Sequence, residues 1–126
     1  STRRNTLFPY TTLFRSQLAA LLAHADLVVA PDTGPAHIAS AMGTDVLGLF
    51  AASNPHRSGP YNSLQWCVNR YPDALEKFTG QTVDEARWGA KAEFKGAMKL
   101  VTVTDATAML DRWVNHFNAR AHQAKS

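Results

Sequence analysis

The sequence predicts an α/β chain, a partial Rossmann-like sheet with parallel strands. Three observations carry that prediction. Helix and strand patterns alternate between residues 17 and 50. Both strand segments are near-continuous apolar runs, which suit strands covered on two faces rather than one. The connections are short and carry Pro and Gly where an α/β unit turns.

Residues 1 to 16 stand apart from this pattern. They show no helical or strand period, and Pro9 interrupts them. The string from Leu7 to Ser16 resembles translated adapter sequence. Residues 1–16 are therefore expected to be a non-native or disordered leader, and no function is assigned to them.

From Gln17 onward each element has a local reason. Leu18, Leu21 and Leu22 fall at helical spacing, so Gln17 to Ala25 reads as a short amphipathic helix. Asp26 to Ala30 is the first strand. Pro31 to Gly34 is a loop. Pro35 suits the first position of a second helix, which Gly43 closes. Asp45 to Phe50 is the second strand, and Gly48 in its middle predicts close approach of a neighbouring backbone. Leu64 to Asn69 is a weak third strand. So few strands make a thin sheet, and further strands are expected outside this chain.

The second half is less regular. Ala51 to Ser63 is a loop rich in breakers, with Asn54-Pro55 and Gly59-Pro60. Pro72 to Phe78 and Val83 to Trp88 read as short helices. Thr102 with Asp105 makes a capping-box-like start. A closing helix from about Val103 to Phe117 would carry Ala106, Met109, Leu110, Trp113 and Val114 on one face. The expected organisation is a leader (1–16), one partial α/β domain (17–118) and a frayed tail (119–126).

Composition excludes several classes. Apolar residues make up 45% and charged residues 18% of the 126-residue chain, a globular composition. The net charge of +3 is carried by Arg3, Arg4 and Arg15. Without them acids and bases balance, so the body has no global attraction to nucleic acid. Cys67 is the one cysteine, set in an apolar run that predicts buried filler. A single cysteine permits no intrachain disulfide and fits a reducing compartment. No apolar run reaches the ~20 residues of a membrane span, and no signal peptide is evident. A cytosolic protein is expected, with contact to a membrane surface allowed. His24, His37 and His56 lack ligand-pair spacing, so no metal site is expected.

The chemistry concentrates at Asp32-Thr33-Gly34-Pro35-Ala36-His37, where a strand's carboxyl end meets a helix's amino end. Ligands bind at such edges in open α/β sheets. With Pro35 as first helical residue, Gly34 becomes the N-cap and brings no side-chain acceptor. The N–H groups of Ala36, His37 and Ile38 are then available to an anion, phosphate above all. His37 in the first turn can donate to a phosphate oxygen. Asp32 suits sugar hydroxyls, and Thr33 offers a hydroxyl. Taken singly, Asp32 or Thr33 as a plain helix cap and His37 as a structural histidine are the simpler readings. Their convergence on one helix end favours a binding site. A second candidate is the loop after the second strand, where Arg57 could meet phosphate and Tyr61 could stack on a base or sugar. A plain surface loop is its simpler reading.

These residues resemble glycosyltransferase family 9, the ADP-heptose:lipopolysaccharide heptosyltransferases. The resemblance rests on Ala25 to Val29, on Asp32-Thr33-Gly34-Pro35-Ala36-His37-Ile38-Ala39, on Gly43-Thr44, on Leu49-Phe50 and on Gly59-Pro60-Tyr61. It covers residues 17–63 well, while 64–100 are not diagnostic. It implies the latter half of the C-terminal domain of a GT-B glycosyltransferase. It further implies that Asp32, Thr33, Gly34 and His37 contact the donor's sugar and diphosphate. The implied reaction moves heptose from ADP-heptose to the lipopolysaccharide inner core, with inversion and no obligatory metal or other cofactor. The implied partners are ADP-heptose and the core acceptor, at the cytoplasmic face of the inner membrane. The family's general base and phosphate-binding lysine have no counterpart here, so no catalytic residue is named and the chain alone is expected to be inactive. A 2-epimerase-like nucleotide-sugar enzyme and a non-catalytic nucleotide-phosphate binding module are the other readings.

Overall fold

The computed structural model describes residues 12–92 and 96–124. Most of the expected leader, residues 1–11, lies outside the described residues. From Thr12 the chain is helical: α1 is Thr12–His24, longer at its start than the hydrophobic period predicts. No Gly or Pro lies within Thr12–His24 to interrupt it. Its last turn is capped by side chains. The Thr44 hydroxyl donates to the Leu22 carbonyl at 2.8 Å, and His24 Nδ1 lies 2.8 Å from the Ala20 carbonyl.

β1 (Leu27–Pro31), α2 (Gly34–Ala41) and β2 (Asp45–Phe50) form a parallel β-α-β unit. A third short strand, β3 (Val68–Asn69), pairs parallel with the carboxyl end of β2, giving the order β1-β2-β3. The α/β reading therefore holds. β2 is the central strand, and Val46, Leu47 and Phe50 are all at most 1% exposed. One face of the sheet packs Val46, with Val28 and Ala30 beside it, against Leu22 of α1 and Ala36 and Ala39 of α2. The small residues of α2 let that helix lie close to the sheet.

β1 differs from expectation. It was read as covered on both faces, but Val29 is 54% exposed. β1 is an edge strand among the described residues, and its Val28 and Ala30 face, itself only partly buried, is the one that packs on the core. Gly48 differs in its reason too. A Cβ there would come within 2.6 Å of Phe50 Cε1 and 3.0 Å of Cys67 Sγ, so side chains rather than a backbone fill its space.

Beyond β2 a four-residue helix, α3 (Pro55–Ser58), interrupts the predicted loop; Asn54 caps it by accepting from the His56 amide at 3.0 Å. A 3-10 helix at Tyr61–Trp66 takes the first half of the predicted third strand. It brings the buried Ser63 to the edge of β2, where the Val46 amide donates to Ser63 Oγ at 2.9 Å. One hydroxyl thus stands in for a strand partner where β3 is too short to reach. Cys67 is buried as predicted, and burial pushes its thiol up to about 11 despite a Gly48 amide donating to it.

α4 is Tyr71–Thr79 and ends on Gly80 in the left-handed conformation. Its Tyr71, Ala74 and Leu75 make a second small core with Ala92. The predicted helix at Val83 to Trp88 is only a turn. Thr82 and Glu85 do exchange reciprocal bonds of 3.0 and 3.3 Å, but Trp88 and Gly89 follow too soon for the helix to grow. After a 3-10 turn at Ala97–Leu100, α5 runs from Val103 to Ala124. It continues past Phe117, so residues 119–124 are helical where a frayed tail was expected.

α5 is held across the sheet at two points. At its start the predicted capping box is present, with the Asp105 amide donating to Thr102 Oγ1 at 3.0 Å. Asp105 also accepts two bonds from Arg70, at 2.9 and 2.6 Å. Farther along, Trp113 Nε1 donates to Asp45 Oδ2 at 2.8 Å. Trp113 is buried, but Leu110 and Val114 of the predicted apolar face remain 37% exposed. Leu110 borders an apolar cleft that Val29, Leu47, Val103 and Ala106 also line.

Two outcomes follow from this packing. Gly48→Ala forces Phe50 or Cys67 to move and should cost about 1–3 kcal/mol, read from denaturant midpoints. Arg70 holds the Asp105 carboxyl down at about 2, against an ordinary 3.8. That stabilisation is present above the ordinary value and fades as pH falls through the interval between the two. Asp105→Asn should remove this part of the acid sensitivity, measured as unfolding midpoint against pH.

Candidate functional site

The carboxyl ends of β1 and β2 lie side by side in register, with Pro31 opposite Leu49. The loops leaving them therefore share one edge of the sheet. A single carboxylate ties them together. Asp32 follows β1 directly. Its Oδ1 lies 3.1 Å from His37 Nε2 on α2, and its Oδ2 accepts from Ser53 Oγ at 2.8 Å and Ser58 Oγ at 3.0 Å. The two loops are thus joined through Ser53 and Ser58.

The charge of Asp32 follows from these contacts. Partial burial pushes its carboxyl up. Hydrogen bonds from Ser53, His37 and Ser58, with the charge of His37, outweigh burial, and the net shift is downward. Asp32 is ionised at neutral pH and both of its oxygens already have partners. The residue nevertheless stays exposed.

The helix start is displaced by one residue. Thr33, extended at φ −141° and ψ 164°, is the N-cap, so Gly34 and Pro35 are the first helical residues. Proline is tolerated anywhere in a first turn, where its missing N–H leaves no hydrogen bond unmade. Thr33 does not cap with its side chain; its hydroxyl donates back to the Pro31 carbonyl at 3.3 Å. The His37 amide, expected to be available, donates to the Thr33 carbonyl at 3.3 Å. The amides without a side-chain partner are those of Gly34 and Ala36 instead. Gly34 and Pro35 are exposed, so this helix end faces solvent without a cap of its own.

A cavity of about 240 Å³ opens at the same edge, lined by Pro31, Asp32, Phe50, Ser53, Lys91 and Met98 among others. Asp32 borders it, and His37 and the helix start do not. Of the four residues first picked out, only Asp32 lines the cavity. Lys91 reaches it because the Ala92 amide donates to the Ala52 carbonyl at 2.7 Å, pinning that segment across the end of β2. Ser53, Ser58 and Lys91 carry no motif that sequence could flag: their roles come from which loops meet. The cavity's volume is below the ~300–1,000 Å³ of typical small-molecule sites.

The remaining candidates stand aside. Arg57 is exposed and its guanidinium lies over Gly89, where a Cβ would fall 2.6 Å from Arg57 Nε. Tyr61 is 91% exposed and none of the cavity is lined by it. Among the described residues no group of His, Cys, Asp or Glu could hold a metal, and no helix is long and apolar enough to cross a membrane.

Asp32→Ala leaves Ser53, Ser58 and His37 without their acceptor. A loss on the order of 1 kcal/mol is expected, with Ser53→Ala costing less, both read by denaturant unfolding.

Comparison with known proteins agrees with the motif. The profile of glycosyltransferase family 9 (heptosyltransferase) matches residues 2–86. The chain is 44% identical over 87 residues to the lipopolysaccharide core heptosyltransferase OpsX of Haemophilus influenzae, a match covering 69% of this chain and 25% of that protein. The chain thus spans about a quarter of that relative's length. No solved structure matches it. The matched region takes in both loops gathered by Asp32 and the helix between the strands, and on that basis the chain belongs to glycosyltransferase family 9 (heptosyltransferase).

Proposed function

We propose that this chain is the donor-binding part of a glycosyltransferase that moves heptose from ADP-heptose to the lipopolysaccharide inner core. Family membership and the relative's name as a lipopolysaccharide core heptosyltransferase support the reaction class. The observation that carries the site is the β1–α2 junction: a helix end with no side-chain cap, beside an ionised Asp32 that holds His37.

In this reading the exposed Gly34 amide and the positive end of α2 take the donor's diphosphate. Gly34, without a side chain, lets it come close; a Cβ there would meet nothing in the chain, so the space is open to a ligand. The Thr33 hydroxyl and His37 complete the anion contacts, and Asp32 fixes the loop on which they stand. The cavity beside Asp32, with Ser53 and Lys91, suits the sugar. As the bond between sugar and diphosphate breaks, charge gathers on the leaving ADP, where fixed amides and the helix dipole stabilise it most. The acceptor hydroxyl needs a base, for which none of these residues is placed; it is assigned to sequence outside this chain. The reaction sets the protein at the cytoplasmic face of the inner membrane. Arg57 and Tyr61 contact the ligand only if the loop after β2 rearranges, and they are secondary candidates.

ADP or ADP-heptose should raise the unfolding midpoint of the 126-residue chain, by up to about 2.7 kcal/mol at a hundredfold excess over Kd. His37→Ala should lower that protection several-fold. Equal midpoints with and without ligand, in a chain that unfolds cooperatively, would exclude the diphosphate site.

A further inference from the structure

We propose that Lys91 is a sugar-recognising residue of this site, its ammonium donating to hydroxyl oxygens of the transferred sugar and so setting the preference for a nucleoside-diphosphate sugar over the free nucleoside diphosphate. The inference rests on the reading of this sheet edge as a nucleotide-sugar site.

Lys91 lies past residue 86, where the family match ends, and no motif announces it. The segment that carries it is nevertheless braced at three points. The Arg57 guanidinium packs over Gly89, whose φ of 82° turns the chain there. The Tyr71 hydroxyl donates to the Ala90 carbonyl, and the Ala92 amide donates to the Ala52 carbonyl at 2.7 Å. Tyr71 and Ala92 are themselves buried in the second small core. The residues on both sides of Lys91 are thus anchored, one to α4 and the other to the chain leaving β2. A flexible lysine stem starts from a fixed root.

The chemistry of the cavity decides what the ammonium meets. Lys91 lines the space of about 240 Å³ with Asp32, Ser53, Leu49, Phe50 and Met98. Asp32 is an ionised carboxylate. One carboxylate and one ammonium leave the cavity with no net positive charge to offer a diphosphate, and the carboxylate repels one at that range. Neutral hydroxyls meet no such conflict. A lysine presents three N–H donors and no acceptor, which suits hydroxyl oxygens. Bonds from an ionised donor are stronger than those between neutral groups. Leu49, Phe50 and Met98 add the apolar lining that small-molecule sites combine with a few polar groups. A free nucleoside diphosphate leaves this space unfilled, so the lysine adds nothing to its affinity. A nucleotide-linked sugar brings the hydroxyls, and the contact is made whatever else holds the diphosphate.

The test is calorimetric titration of ADP and of ADP-heptose, separately, into the 126-residue chain and its Lys91→Met and Lys91→Arg variants. Methionine keeps an apolar stem and removes the charge, and the exposed position leaves folding intact. Wild type should bind ADP-heptose more tightly than ADP. Lys91→Met should lose about tenfold in affinity for ADP-heptose and keep its affinity for ADP. Lys91→Arg should keep most of the difference, because a charged donor remains. Equal losses for both ligands in Lys91→Met would assign the lysine to the nucleotide and overturn the proposal. Unchanged affinities would reduce it to a wall of the cavity and overturn the proposal as well. Absence of ADP binding by wild type fails the nucleotide reading itself, and the lysine's role with it. ADP binding with no gain from the heptose fails the sugar contact alone.

Discussion

The central strand, β2, sets the terms for the molecule. Val46 faces α1 and α2, Leu47 faces α5, and Phe50 closes the carboxyl end. A strand buried on both faces must satisfy its amides and carbonyls laterally, as no water reaches them. β1 does so on one side along its whole length. On the other side β3 is too short, and Ser63 and the Arg70 amide complete the pairing. Once β2 is fixed, the ends of β1 and β2 must lie together, and the loops leaving them must share an edge. The candidate site is a consequence of that register.

At this edge Asp32 converts proximity into a defined arrangement. It gathers one imidazole and two hydroxyls from two loops, each of which would otherwise be free to take several conformations. A carboxylate with this many donors acts on its neighbours more than on solvent. Its effect on a ligand is therefore indirect, through the orientation of His37 and the placement of Ser53 and Ser58 around the cavity. Lys91 comes from far along the sequence, and its place at the cavity depends on the second small core around Tyr71 and Leu75 holding its segment down.

Much of the first half was legible in sequence, for physical reasons that can be named. The β-α-β unit follows from two apolar runs and an alanine-rich helix closed by Gly43. The capping box at Thr102 and the burial of Cys67 also follow from local composition. What sequence could not supply was lateral context. It did not reveal that β1 would be an edge, so Val29 was read as covered. It set the helix start at Pro35, since proline fits the first position, although Thr33 is as able to take the extended cap conformation. It missed Ser53, Ser58 and Lys91 because a hydroxyl or amine has no signature until the fold places it beside Asp32. Short helices failed where a capping pair at Thr82 and Glu85 had no length of chain behind it.

The uncovered flank of β1 has a practical consequence. Among the described residues no strand pairs with that flank, its central valine is half bare, and no lysine lies within Leu27–Pro31 to discourage a visitor. Such a margin accepts another extended segment wherever one is offered, at any concentration that brings chains together. Handled in isolation, this polypeptide should be more prone to self-association than its near-neutral, well-hydrogen-bonded body suggests. Dilute conditions would then govern its behaviour as strongly as its folding free energy does.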